Sequence, residues 1–135
     1  MTFVIDASAT LSWAFDDEAG SLSKRSLARL LEEGESAHAP LLWWIEIRAV
    51  LVANERRKRT TEQRSTAFLG LLSRLPITLH ALPEEGALLS LVRRCGLTVY
   101  DATYVELANR LSLPLLTLDR AMRLAAKAEA VEIVT

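Results

Sequence analysis

The chain has 135 residues, of which 50% are hydrophobic and 24% charged, enough for one domain with its own buried core. This composition excludes a disordered protein, and a formal net charge of −1 excludes a general attraction to nucleic acid, so nucleic-acid binding would need a local basic patch. Because Cys95 is the only cysteine, an internal disulfide and a CxxC metal site are both excluded. The N-terminus lacks the pattern of a signal peptide and the apolar run at 40–45 is too short to span a membrane, so we expect a soluble cytoplasmic protein.

Extended and helical patterns alternate along the chain. In order they predict strand 3–5, helices 8–15 and 20–33, an extended piece at 36–39, helices 41–58 and 60–74, strand 77–81, helices 83–95 and 101–110, strand 115–118, helix 119–129 and strand 131–134. The acids at 16–18 are expected to form a solvated turn, and Gly96 is expected to end its helix. Strands that alternate with helices, without hairpin turns, predict an α/β fold: a three-layer α/β/α arrangement with a central parallel sheet, in a single domain over 1–135.

Four carboxylates stand where a parallel sheet would gather them. Asp6 directly follows the first predicted strand, Asp119 directly follows a later one, and Asp101 opens a helix. Because ligand sites of open parallel sheets form beyond the carboxyl ends of the strands, these positions favour one common site. Glu46 lies on the most apolar helix, where the residues one turn away cannot pair with a charge: Leu42, Trp43, Ala49 and Val50. A carboxylate on such a helix needs a partner from elsewhere in the fold.

Each of these acids also has a purely structural explanation. An aspartate at a strand–helix junction is usually a helix N-cap, and Glu46 could reach solvent or a basic residue. The four together are harder to explain, because two carboxylates about 4 Å apart repel by roughly 4 kcal/mol at an effective dielectric constant of 20. Four such groups converge only if they share a cation, and ligands that are all oxygen select a hard ion such as Mg²⁺ or Mn²⁺. The two interpretations are scattered caps and a metal site, and the joint pattern favours the metal site.

The order of these motifs resembles that of the PIN domain. It runs Asp6-Ala7-Ser8, then Pro40 followed by Glu46, then Tyr100-Asp101-Ala102, then Thr117-Leu118-Asp119-Arg120. Within the family the pattern is most similar to the VapC toxins of bacterial toxin–antitoxin pairs. The resemblance covers essentially the whole chain, and its most specific part is the segment 99–120.

This resemblance implies a metal-dependent endoribonuclease, the toxin of a toxin–antitoxin pair, that hydrolyses RNA phosphodiester bonds at a site for Mg²⁺ or Mn²⁺. The family's acidic quartet and its supporting hydroxyls fall on Asp6, Glu46, Asp101, Asp119, Ser8 and Thr117. Asp6 and Asp101 are the expected direct metal ligands. The resemblance also implies a homodimer and a small antitoxin that inhibits the enzyme. Many members carry Asn three residues after the helical Glu, and this chain has Ala49 there, so a possible supporting amide is missing.

Other conspicuous residues have a structural and a functional interpretation. The basic stretch Arg56-Arg57-Lys58-Arg59 is either a solvated helix end beside the negative pole of the dipole or a contact for the RNA backbone. His38 and His80 lie far apart, with no second ligand at metal spacing, and both are interpreted as structural. The tryptophans at 13, 43 and 44 are interpreted as core or interface residues.

Three other functions compete with the nuclease. A catalytically inactive PIN-like scaffold that binds RNA or protein would not need all four acids. A phospho-receiver domain needs an acceptor aspartate after its middle strand, whereas strand 77–81 is followed by Leu82-Pro83. A phosphatase of the DxD type is excluded because position 8 is Ser.

Overall fold

The computed structural model describes residues 2–15, 20–32 and 34–135, so the predicted turn at 16–18 and the predicted helix end at Glu33 lie outside the described residues. The strands, all parallel, are β1 (Thr2–Ile5), β2 (Ser36–Pro40), β3 (Ile77–His80) and β4 (Leu115–Leu116). The helices are α1 (Ala7–Leu11), α2 (Ser21–Leu31), α3 (Leu41–Arg56), α4 (Glu62–Ser73), α5 (Glu85–Cys95), α6 (Val99–Leu111) and α7 (Arg120–Ala128).

The sheet has the strand order β3-β2-β1-β4, so β1 and β2 lie in its centre. Phe3, Val4 and Ile5 on β1 are completely buried, as their continuous apolar run predicts for a strand covered on both faces. Helices cover the two faces, which confirms the predicted three-layer α/β/α arrangement with a central parallel sheet. Because all strands point the same way, their carboxyl ends meet at one edge, which we call the carboxyl edge.

The helix ends follow the local chemistry of the sequence. Asp6, Thr61, Thr98 and Asp119 are N-caps whose side chains accept a hydrogen bond from a backbone N–H in the first turn. Gly96 ends α5 at a φ of 65°, in the left-handed region that glycine enters without a steric penalty, as predicted. One cap differs from the sequence prediction: α6 begins two residues earlier, with Thr98 as its cap, so Asp101 lies in the first turn and is not the cap.

The C-terminal part of the sheet is shorter than predicted. β4 contains only Leu115 and Leu116, because the backbone N–H of Leu118 donates to Oγ of Ser8 rather than to a neighbouring strand. The predicted strand 131–134 is wrong in its extent, since Ile133 forms only an isolated parallel bridge with Leu115. Leu115 donates to the carbonyl of Glu132 and accepts from the N–H of Val134. The polar groups that would have extended this strand are used instead at the carboxyl edge.

None of the helices in the described part of the chain is long and apolar enough to cross a membrane.

Candidate active site

Asp6 lies at the end of β1 with its side chain almost completely buried, at 2% exposure. Its carboxylate accepts a hydrogen bond of 2.9 Å from the backbone N–H of Ala9 and therefore caps α1. The hydroxyl of Ser8 donates to both carboxylate oxygens at 2.9 Å, and the hydroxyl of Thr117 donates to Oδ2. Asp6 is thus both the N-cap of α1 and a buried acid at the carboxyl edge. The two roles proposed for it from the sequence therefore do not exclude each other.

Ser8 and Thr117 connect β1 to the segment after β4. Thr117 is completely buried, and its Oγ1 accepts a hydrogen bond of 3.0 Å from the backbone N–H of Asp119 while its proton goes to Asp6. Ser8 Oγ accepts a hydrogen bond of 3.1 Å from the N–H of Leu118. The two hydroxyls therefore fix Asp6 and Asp119 relative to each other, although 112 residues separate these acids in the sequence.

Glu46 finds its partner outside its own helix. The hydroxyl of Tyr104 on α6 donates a hydrogen bond of 2.8 Å to Oε1 of Glu46 on α3. Tyr104 is 1% exposed, and the charges of Asp6 and Asp101, as well as that of Glu46, act on its hydroxyl. The sequence reasoning missed this tyrosine. Its position three residues after Asp101, nearly one helical turn, was a signal that could have drawn attention to it.

Asp101 and Asp119 are half-buried and complete the acidic quartet. Asp119 caps α7 by accepting a hydrogen bond of 2.7 Å from the N–H of Met122. The charge of Asp119 acts on both Asp6 and Asp101, and the charge of Asp101 acts on Glu46. The four carboxylates therefore form a continuous series of neighbours at the carboxyl edge, in the order Asp6, Asp119, Asp101, Glu46.

Burial and mutual repulsion both disfavour the charged forms of these acids. Burial raises the pKa of Asp6 to about 6, with a smaller contribution from the charge of Asp119, against hydrogen bonds from Thr117, Ala9 and Ser8 that lower it. Burial is also the main cause that raises the pKa of Glu46, with the Asp101 charge adding to it and the Tyr104 hydrogen bond opposing it.

Asp101 follows the same pattern. Burial and then the charge of Asp119 raise its pKa, while a hydrogen bond from the Thr98 side chain lowers it. The pKa is therefore raised in three of the four acids, because their surroundings disfavour the charged form.

A divalent cation fits this site in charge and in ligand chemistry. None of the four acids takes part in an ion pair within the described residues, unlike Glu129, which pairs with Arg94, and Glu106, which pairs with Arg110. Buried acids without a cationic side chain need another source of positive charge, and carboxylate oxygens are the ligands of hard ions.

The distances between the acidic side chains limit how many of them can bind one cation at the same time. Among the residues that the structure describes, no three His, Cys, Asp or Glu side chains are close enough together to coordinate one ion as they stand. Coordination by three of them requires side-chain rotation.

The basic stretch lies away from the acidic quartet. α3 starts at the carboxyl edge, directly after β2, and Arg56 follows Glu46 by ten residues, about 15 Å along the helix axis. Arg56 and the three residues after it are exposed. The structure therefore does not bring this stretch into the site.

Two further predictions are tested by the contacts. His38 and His80 are not far apart in space, because Nδ1 of His38 lies 2.7 Å from Nε2 of His80, which corrects the sequence interpretation. The pairing of β2 with β3 brings them together, and no local pattern announces it. Trp43 is a core residue as predicted, at 4% exposure, whereas Trp44 is 47% exposed with the Arg48 guanidinium 3.6 Å from its ring centroid.

The solved structures that resemble this chain support the fold. PAE2754 from Pyrobaculum aerophilum has a TM-score of 0.69 at 22% sequence identity, over 94% of this chain and 81% of that chain. VapBC2 from Rickettsia felis, bound to a DNA fragment from their promoter, has a TM-score of 0.68 at 10% identity, over 99% and 98% of the two chains. A toxin–antitoxin complex from Klebsiella pneumoniae has a TM-score of 0.57 at 17% identity, over 87% and 86%. At these identities the likeness shows the fold.

Two comparisons use the sequence alone. No curated protein matches the chain. Residues 3–128, nearly its whole length, match the family described as the PIN domain. The chain therefore belongs to the PIN domain family.

Proposed function

We propose that this chain is a metal-dependent endoribonuclease, of the VapC type, that acts as the toxin of a toxin–antitoxin pair. PIN domains are generally nucleases and generally use divalent metals, and two of the similar structures are VapBC2 and a toxin–antitoxin complex. The observation that carries the proposal is the series of four carboxylates at one sheet edge, of which none has a cationic partner among the described residues.

The four acids would have different roles in metal binding. Asp6 and Asp101 would hold Mg²⁺ or Mn²⁺ directly, and Glu46 and Asp119 would complete the negative field around it. When bound, the ion makes water a better nucleophile at neutral pH and stabilises the charge that develops on the phosphate.

The remaining contacts keep the acids in place. Ser8 and Thr117 orient Asp6 and the backbone of Asp119 through their hydroxyls, and Tyr104 orients Glu46. A site whose ligands are held by hydrogen bonds from neighbouring elements loses less entropy when it binds an ion.

A protein partner is part of the proposal. Large apolar side chains lie exposed along α3, at 40–58% exposure: Leu41, Trp44, Ile45 and Val52. Exposed apolar patches of this kind favour protein–protein contact. We propose two partners: a second copy of this chain, in a homodimer, and a small antitoxin. Light scattering would test the homodimer. Rescue of growth by co-expression of the neighbouring reading frame would test the antitoxin.

The experiment that tests the nuclease is cleavage of total bacterial RNA by the purified protein. We expect cleavage with Mg²⁺, none in EDTA, and recovery when Mg²⁺ or Mn²⁺ is restored. Asp101→Asn should abolish cleavage and keep the fold, because Thr98 and not Asp101 caps α6. Glu132→Gln, which removes the same charge from an exposed position, serves as the control and should cleave normally.

Cleavage that is undiminished in EDTA would remove the metal-dependent mechanism. Absence of cleavage in the presence of Mg²⁺, together with unchanged binding of RNA by the wild type and Asp101→Asn, would favour the inactive scaffold instead.

A further inference from the structure

His38 and His80 form a pair of facing imidazoles on neighbouring strands. Nδ1 of His38 lies 2.7 Å from Nε2 of His80, with the ring centroids 5.0 Å apart and the ring planes at 41°. The parallel register places His38 beside Thr78 and Pro40 beside His80, so the two histidines are diagonal neighbours on one face of the sheet. Two aromatic nitrogens at this distance share a single proton.

The pair has the ligand chemistry and the access that a metal ion requires. Burial, and then the proximity of His80, lower the pKa of His38, which favours the neutral form of this ring. Neutral imidazole is the commonest metal ligand in proteins. His38 and His80 are only half-buried, and β3 is an edge strand of the sheet, so water can reach the pair.

We propose that the two nitrogens bind a transition-metal ion of the class Zn²⁺, Ni²⁺ or Cu²⁺, which joins the edge strand β3 to β2. The proton that lay between the rings moves to the other nitrogen of the ring that carried it, so both ligands are neutral imidazoles. Bond lengths of 2.0–2.1 Å to a tetrahedral zinc ion put two nitrogen ligands about 3.3 Å apart. The observed 2.7 Å must therefore widen by about 0.6 Å, which small rotations of two half-exposed side chains supply.

This site differs in chemistry from the acidic quartet. Imidazole nitrogens select borderline transition metals, whereas the carboxylates select Mg²⁺ and Mn²⁺. No third His, Cys, Asp or Glu of the described chain joins the pair, so water completes the coordination and the site is weaker than a zinc site with four protein ligands. The proposal does not depend on nuclease activity.

Calorimetric titration with Zn²⁺ tests the site, in excess Mg²⁺ so that the acidic quartet does not contribute. We expect one Zn²⁺ per wild-type chain. Loss of a group that only orients a metal ligand costs about 10- to 100-fold in affinity, so His38→Gln and His80→Gln should each cost at least that. Asp101→Asn is the matched control and should keep the Zn²⁺ site.

Zinc affinity that is the same in wild type and in both histidine variants would overturn the proposal. A second measurement needs no variant: the electron paramagnetic resonance spectrum of the wild type with one equivalent of Cu²⁺. Splitting by two nitrogen nuclei supports the site, and a spectrum with oxygen ligands alone shows that the pair is only a hydrogen bond between strands.

Discussion

The hydroxyl of Tyr104 donates a 2.8 Å hydrogen bond to Oε1 of Glu46 and so joins α6 to α3 at the carboxyl edge. Burial raises the pKa of Tyr104 far above its ordinary value, and the adjacent charge of Glu46 raises it further, so the phenol stays protonated and acts as a donor. Among the described residues, this hydroxyl is the group that orients Glu46.

Tyr104→Phe should weaken metal binding without unfolding the protein. The ring remains to pack in the core, and loss of one hydrogen bond to a charged carboxylate costs about 1.5–3 kcal/mol of unfolding free energy. Groups that orient a metal ligand contribute about 10- to 100-fold to affinity, so the Mg²⁺ concentration for half-maximal cleavage should rise by that factor. Tyr100→Phe is the matched control, because Tyr100 lies on the same helix and is 64% exposed. An unchanged Mg²⁺ dependence in Tyr104→Phe would mean that the hydroxyl serves stability alone.

The buried carboxylate of Asp6 should make the metal-free protein less stable as the pH rises. Its folded pKa of about 6 lies above that of the unfolded chain, so between about pH 4 and 6 the folded state binds more protons. The unfolding free energy therefore falls as the pH rises through this window. A difference of about two pKa units corresponds to about 3 kcal/mol above pH 6.

Asp6→Asn isolates this effect, because its amide can still accept from Ala9 and can donate to the hydroxyls. Urea unfolding without metal should show the variant more stable than wild type at pH 7 and nearly equal to it at pH 4. The pKa shifts of Glu46, Asp101 and His38 are present in both proteins, so their contributions cancel in the difference. If the unfolding free energy depended on pH in the same way in both proteins, the raised pKa of Asp6 would be contradicted.

The hydroxyl of Thr117 should matter more than its methyl group. Thr117→Val keeps the shape but leaves the part-buried N–H of Asp119 without its acceptor, which costs about 1 kcal/mol of unfolding free energy, and it removes a donor from Asp6. Thr117→Ser keeps the hydroxyl and loses about 0.8 kcal/mol for the buried methyl. Thermal unfolding and RNA cleavage of both variants measure the two effects. We expect Thr117→Ser to cleave RNA like the wild type and Thr117→Val to cleave it poorly. Equal cleavage by the two variants would show that the Thr117 hydroxyl has no role in the active site.

The basic stretch makes a separate prediction about RNA. If Arg57 and Arg59 contact phosphates, replacing both with Gln should reduce the slope of log affinity against log salt by about 0.7 per lost contact with single-stranded RNA. Binding is measured in Asp101→Asn, so that the oligonucleotide is not cut. The double replacement Lys24→Gln and Arg25→Gln, on the exposed surface of α2, removes the same two charges and is the control for net charge. The same slope with and without the two arginines would assign the stretch to a solvated helix end.

Several features of this chain follow from short segments of sequence. The apolar run before Asp6 predicts a buried central strand, and Gly96 predicts a helix end in the left-handed conformation. Both depend on residues within a few positions of each other, and the structure confirms both. The order of the motifs predicts the family, which the comparison confirms. The metal-binding roles of the acidic quartet stay a prediction.

The amino-acid sequence by itself determined the layers of the fold and the positions of its acids at strand and helix ends, because period, capping and turn chemistry act over one helical turn or one strand. Only the tertiary structure decided which groups meet. The contact from Tyr104 to Glu46 spans 58 residues and that from His38 to His80 spans 42, and each depends on how helices pack or strands pair. The contact of Leu118 with Ser8, across 110 residues, is of the same kind. In each case a hydrogen-bonding group has several possible partners of the same chemistry, and the packing of the whole chain selects among them.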